Sequence, residues 1–400
     1  MASPTAFADL SLHFIGEEGL LLDPVRQRLY ALNACATFIW SLLKDGKSPT
    51  EVSRSLNEQF AVSDDAAVSY VADVLRQYES LRHDSKPSDS ETAVTMAGPR
   101  LDVPAGTDGR RRPPSRSGAR VVETYSLLDS AFRVHYDSVR LAEEIHPLLQ
   151  HRALTNGAEV TNVTNVVVAA ENGGVAIIAD KEAIGWSRTL EDAAVAVRAC
   201  LTQLAVARSG GLCVVHAGAL CRNGDALLLP GDAGHGKSTL SAGLAARGFD
   251  MLCDDTTLLA GEPPLVRSVP AGLCIKRGAY AVLEPLYPRL PSLPEWRRPD
   301  GRQARYLMPG NDLHWAEPDA AVAVRWIVFP RYHPDRGTVL LPLPRHEALA
   351  RLLRGVYFLS GSLDERNLEK LIAWIERIDC FELPLSSLDA ATALLDGLCK

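Results

Sequence analysis

The stretch "LLLPGDAGHGKSTL" at residues 227–240 constrains the fold of this 400-residue chain more than any other segment. An apolar run of strand length meets a proline. It then enters a loop in which Gly231, Gly236, Lys237 and Ser238 fit the spacing G-x-x-x-x-G-K-[ST]. Glycines at those positions let the backbone wrap tightly and turn its N–H groups inward. Gly231, Asp232, Ala233, Gly234, His235, Gly236, Lys237, Ser238 and Thr239 therefore read as a cradle for nucleotide phosphates. Lys237 supplies a point charge for the outer phosphates, and the Ser238 hydroxyl is a ligand for Mg2+. "STLSAGLAARG" follows as a helix, with Leu240 and Leu244 one turn apart and Gly248 as its stop. Strand, glycine loop and helix in immediate succession predict an α/β domain that binds the phosphates of a nucleotide.

Two features near the loop narrow the chemistry. The chain re-enters a strand, "FDMLCDD", that ends in Asp254 and Asp255, 17 residues after Lys237. Adjacent carboxylates at a strand end can divide labour, one taking the proton of an attacking hydroxyl and the other holding a metal. His216 lies 21 residues before Lys237, in "VVHAGAL", on a strand expected two elements ahead of the loop. Adjacent strands would bring it to the aspartates, where it can orient a carboxylate or tune its pKa.

The chain divides at residues 84–118, where Pro, Ser, Gly and charge dominate and apolar periodicity is lost; this reads as a disordered linker, with a basic cluster at Arg110–Arg112. Ahead of it, residues 1–83 form a small α+β unit. "SLHFI", "GLLLD" and "RQRLYAL" read as short strands. Three helices follow, opened by Asn33, by Pro49 in a first turn and by Asp64-Asp65. The order is winged-helix-like and carries no cluster of catalytic residue types, which makes it a binding module. Residues 119–400 form the nucleotide-binding domain. There "TNVVVAA", "GVAIIA", "VRWIVFPRY", "GTVLLPLP" and "CFELPL" read as strands. Residues 190–208, "HEALARLLRGVYFL", "ERNLEKLIAWIERI" and 387–398 read as helices. "PSLPEWRRPDGRQARYLMP" reads as an exposed loop, with Arg297, Arg298, Arg302 and Arg305 as candidate phosphate or substrate contacts.

Both parts carry a resemblance. "LDPVRQRLYALNACATFIWSLLKDGKSPTEVSRSLNEQF" resembles the PqqD family, which includes the recognition elements of enzymes that modify ribosomally made peptides. That resemblance implies capture of a leader peptide as an added strand beside the small sheet. "VVHAGAL … GDAGHGKS … MLCDD" resembles the kinase domain of HPr kinase/phosphorylase. It implies an α/β P-loop kinase domain of the HPr kinase/PEP carboxykinase-like type and transfer of the γ-phosphoryl of ATP to a serine hydroxyl. Carried over by position, Asp254 would be the general base, His216 its partner, Lys237 the phosphate-binding cation, and Ser238 and Asp255 the metal ligands, although the two aspartates could exchange roles. The chain departs from that family at Thr239, where an acidic residue is usual. It departs again at "LCIKRG" (273–278), which lacks the family's glutamate and leaves a third metal ligand unassigned. Lys276 and Arg277 in that segment are candidate phosphate or substrate contacts.

Bulk properties exclude several classes. A net charge of −7 argues against non-specific nucleic-acid binding. No apolar run reaches the roughly 18 residues of a membrane span. The first residues show no basic, apolar export signal. Eight cysteines with no C-x-x-C pair read as buried small hydrophobes in a reducing compartment, so the expected location is the cytoplasm. The expectation is an ATP- and Mg2+-dependent kinase acting on a precursor peptide bound through its leader, with no nucleic-acid or membrane partner and with room for a homo-oligomer. The alternatives are an ATP-binding regulatory or scaffold protein without transfer, and a small-molecule kinase with an inert N-terminal domain.

Overall fold

A computed structural model describes residues 10–83, 121–155, 163–171, 173–298, 300–310, 312–318, 320–359 and 361–400. The expected linker at 84–118 lies outside the described residues. The described residues cluster into two compact units, one taking the chain up to 83 with 342–381, the other 121–341 with 382–400.

The first unit opens with an antiparallel meander of β1 (Ser11–Ile15), β2 (Glu18–Asp23) and β3 (Arg28–Leu32), in that spatial order. Three helices follow: α1 (Ala34–Lys44), α2 (Pro49–Phe60) and α3 (Asp64–His83). Their starts are fixed locally. The Asn33 side chain accepts from Ala36 N at 2.8 Å. Ser48 and Glu51 form a reciprocal capping box ahead of Pro49 at the first turn. Leu21 packs with Ile39, Trp40, Leu43, Val52, Leu56, Ala67 and Val71 in one core.

The second unit begins with β4 (Val121–Leu127), β5 (Ser130–Tyr136), α4 (Val139–Ile145), β6 (Val163–Glu171), β7 (Gly174–Ala179) and β8 (Glu182–Ser187). These five strands form a sheet in chain order, and α5 (Leu190–Arg208) packs on it. The chain then lays down β9 (Cys213–Val215), β10 (Ala217–Arg222), β11 (Asp225–Pro230), α6 (Lys237–Ala245), β12 (Asp250–Cys253), β13 (Thr257–Ala260) and β14 (Leu265–Arg267). A small second sheet, of order β15-β17-β16, comes from β15 (Leu273–Lys276), β16 (Trp296–Arg297) and β17 (Gln303–Leu307), with α7 (Tyr280–Leu283) between the first two. The long β18 (Ala321–Tyr332) completes a mixed sheet running β12-β10-β11-β18-β14-β13-β9. Within it β11 pairs antiparallel with β10 and parallel with β18.

Residues 212–222 do not form one strand, as the sequence suggested. The chain bends at His216, so that β9 pairs with β13 while β10 pairs with β11 and β12. Three other expectations are corrected. "PSLPEWRRPDGRQARYLMP" is not an exposed loop: it supplies β16 and β17, and Trp296, Ala304, Tyr306 and Leu307 are buried. "GTVLLPLP" contributes just β19 (Leu341–Pro342), because Pro342 and Pro344 have no N–H to give a ladder. "HEALARLLRGVYFL" stops being helical at Leu353. Gly355 breaks it, and the β-favouring Val356-Tyr357-Phe358 becomes β20 (Val356–Phe358) after α8 (Arg345–Leu353).

Helix α8 and α9 (Glu365–Ile375) group with the N-terminal module, although the sequence reading assigned residues 342–381 to the C-terminal domain. Helix α8 packs against β1, β2 and β3. Successive strand residues point to opposite faces, so Leu20 and Leu22 point away from the Leu21 core. All three are at most 2% exposed, which means that both faces of β2 are covered. The side chain of Gln27 fastens the loop before α9, accepting from Leu363 N at 2.5 Å and donating to Leu363 O at 3.2 Å. Finally β21 (Asp379–Leu385) pairs with β18, and α10 (Leu388–Leu398) packs on α6.

Candidate functional site

The loop between β11 and α6 turns on glycine. Gly234 and Gly236 have φ of 95° and 88°, values that cost an L side chain energy, and Gly236 is the residue from which α6 starts. Helix α6 thus points its free N–H groups and the positive end of its dipole into the loop. Lys237 is 6% exposed, and its amine donates to Gly231 O at 2.5 Å and Asp232 O at 3.2 Å. Burial pulls its pKa down and the charge of Lys276 adds to that, while Asp255 and Asp254 oppose the shift.

His216 meets this amine from the β9–β10 bend. Its Nδ1 lies 3.0 Å from Asp255 O and its Nε2 3.2 Å from Lys237 Nζ. Both contacts are satisfied if Nδ1–H donates to the carbonyl and neutral Nε2 accepts from the ammonium. The Asp255 carboxylate sits 3.9 Å from His216 Nε2 and 4.0 Å from Lys237 Nζ. Asp255 has φ of 58°, a left-handed conformation for which aspartate is one of the tolerated residues. That turn sends the side chains of Asp254 and Asp255 to different partners.

The Asp254 carboxylate accepts from Ser238 Oγ at 3.2 Å and from Cys274 N at 2.9 Å, one bond to each oxygen. Burial pushes its pKa up to about 7 and the neighbouring Asp255 charge adds to this, against the Cys274 N–H, Arg198 and the Ser238 hydroxyl. Ser238 therefore lies on Asp254, not on Asp255, the carboxylate expected to share the metal with it. Among the described residues no group of three or more His, Cys, Asp or Glu side chains could hold a metal ion. One hydroxyl and one carboxylate suit Mg2+, which keeps several waters and takes much of its coordination from substrate phosphates.

The structure brings His216, Lys237, Ser238, Asp254 and Asp255 together. It does not bring Arg277, which is exposed and donates to Glu295 at 2.9 Å. Arg297 is held by Asp192 at 2.7 and 2.8 Å, and Arg305 donates to Leu290 O at 3.0 Å. Cys274 and Arg198 went unnoticed in the sequence. Cys274 occupies the segment where the missing glutamate was noted, and Arg198 breaks the apolar run "AAVAVRACL" of α5.

Comparison with known proteins identifies one part of the chain. Residues 18–82 match the family described as Coenzyme PQQ synthesis protein D (PqqD). This segment is a PqqD-like domain. It spans the meander from β2 and the helices α1 to α3, and no curated protein matches the chain. Among the described residues no helix is long and apolar enough to cross a membrane.

Proposed function

We propose that the protein is an ATP-dependent kinase. In this reading it transfers the γ-phosphoryl group to a Ser or Thr hydroxyl of a ribosomally made precursor peptide held through its leader by the PqqD-like domain. The observation that carries this reading is the convergence of a buried lysine, two adjacent carboxylates and a histidine on a glycine loop at a helix N-terminus. Holding a nucleotide needs the loop and the lysine, and Asp255 with His216 beside that amine adds a proton acceptor to them.

The roles follow from the contacts. The loop amides and Lys237 bind the phosphates. Ser238 and Asp254 are the pair that would hold Mg2+, which when bound offsets charge on the transferring phosphoryl group. Asp255, backed by His216 and close to Lys237, accepts the proton of the attacking hydroxyl. This exchanges the roles that the resemblance assigned to the two aspartates, and the Ser238–Asp254 bond is the reason. In the first unit both faces of β2 are covered, so the edges β1 and β3 are where unpaired main-chain groups are available to a peptide strand.

The two aspartates can be separated by metal titration. Asp254→Asn should raise the Mg2+ concentration needed for half-maximal turnover. Asp255→Asn should lower turnover at saturating Mg2+ and ATP. Full transfer by both variants would refute the mechanism.

A further inference from the structure

A second cluster of polar side chains lies on the other side of Asp254 from the phosphate loop. In the small sheet Cys274 on β15 pairs with Tyr306 on β17, so their side chains share a face. Arg298, just past β16, reaches the same place and donates to Cys274 Sγ at 3.0 Å. From α5, Arg198 stacks on the Tyr306 ring at 4.6 Å from its centroid and donates to Ala271 O at 2.7 Å. Its charge is felt by Asp254.

The cluster is rich in donors and poor in acceptors. Arg198 Nε, Arg298 Nε and Tyr306 Oη are all buried without a well-formed hydrogen bond, the Tyr306 hydroxyl having just the weak acceptor Cys274 Sγ beside it. The closest charge to Arg298 Nε is Asp300, at 3.4 Å in an ion pair without hydrogen-bond geometry. Tyr306 is 3% exposed, so its hydroxyl has no recourse to bulk water, whereas the Arg198 and Arg298 side chains are half-buried, with their Nε atoms inside. Two guanidiniums and a phenol with unused donors match an oxyanion, which accepts from all three; the planar guanidinium fork is well suited to carboxylates.

We propose that Arg198, Arg298 and Tyr306 form a subsite for a carboxylate carried by the acceptor close to its hydroxyl. The placement favours the acceptor over the nucleotide. Asp254 turns one oxygen to Ser238 at the phosphate loop and the other to the Cys274 amide at this cluster. In an in-line transfer the nucleotide and the acceptor lie on opposite sides of the moving phosphoryl group. The subsite rests on the kinase reading for its role, but its binding preference can be measured without turnover.

The test uses the full chain with Mg2+ and a non-hydrolysable ATP analogue. Four fluorescent serine peptides lacking any leader are titrated by anisotropy. The acceptor serine is flanked by Asp or by Asn with an amidated end, or lies at the end of the chain with a free or an amidated terminus. At least one carboxylate peptide should bind about tenfold more tightly than its neutral isostere, as expected for a charge-assisted pair. Whether Asp or the free terminus gives the preference identifies the source. Arg298→Gln and Arg198→Gln should each erase the preference, and Tyr306→Phe should reduce it. Arg298→Lys, which keeps the charge but loses the fork, guards against a folding defect, and nucleotide affinity serves as the fold control. Equal binding of each pair by wild type, or a preference that survives Arg298→Gln, overturns the subsite. The mass of leader-bearing versions of the same four peptides after incubation with MgATP is read in parallel. A carboxylate preference without phosphate gain refutes the kinase reading alone, and phosphate gain without preference refutes the subsite alone.

Discussion

The small sheet of the first unit and the glycine loop of the second put buried polar groups to opposite uses. In the first unit the buried Asp23 is matched by Arg26, whose backbone N–H and Nη1 reach it at 2.9 and 3.0 Å, and the helix starts carry their own caps. Around the loop a buried lysine satisfies itself on loop carbonyls, two carboxylates adjoin, and one of them sits in a left-handed conformation. The first arrangement favours a fixed shape that offers strand edges. The second gathers charge of both signs around one buried amine, which in the proposed reading serves a polyphosphate. In that proposed reading, recognition and chemistry are thereby separated along the chain.

The sharpest way to break this contrast is to remove charge from the loop. Lys237→Ala or Asp255→Asn should lower phosphoryl transfer roughly 10²–10⁴-fold, measured as initial rates of peptide phosphorylation, without unfolding the first unit. A core change in the first unit should do the reverse. Leu349 of α8 is fully buried, and Leu349→Ala should cost that unit about 2–5 kcal/mol in chemical denaturation while ATP affinity persists. Deleting residues 1–83 outright would instead leave α8 without the sheet it packs on, so point changes separate the two roles more cleanly.

The pH dependence of stability gives a smaller and more specific signature. Asp254 takes up a proton on folding between its unfolded pKa near 4 and its folded value of about 7. Its contribution is present below pH 4 and is lost as pH rises through 7. In EDTA, Asp254→Asn should therefore raise Tm more at pH 8 than at pH 4. An equal shift at both would place Asp254 in a solvated setting. The smallest effect belongs to the helix cap: Ser48→Ala should cost about 1 kcal/mol, read by denaturation of the first unit.

The local signals were legible in the sequence. Asn33, Pro49 and Asp64-Asp65 mark helix starts, and G-D-A-G-H-G-K-S marks the loop, because each depends on neighbours in the chain. The bend at His216 was not legible, since it follows from which distant strands pair on either side of it. The partition of Ser238 to Asp254 depends on the left-handed turn at Asp255, and no residue pattern announces that turn. The covering of the first sheet by α8 did leave a trace. Three consecutive leucines in "GLLLD" do not alternate, as the strand of a one-sided sheet should. The cluster of Arg198, Arg298 and Tyr306 joins α5, the segment after β16 and β17, and such convergence is written in the tertiary fold alone.

The central claim is that a peptide recruited by the first unit receives a phosphate from the second. The most direct test incubates the full chain with MgATP and the short peptide encoded beside its gene, then reads the peptide's mass. The account predicts the gain of at least one phosphate with wild type and none with Asp255→Asn. An unmodified peptide in a reaction where ATP is being turned over would contradict it.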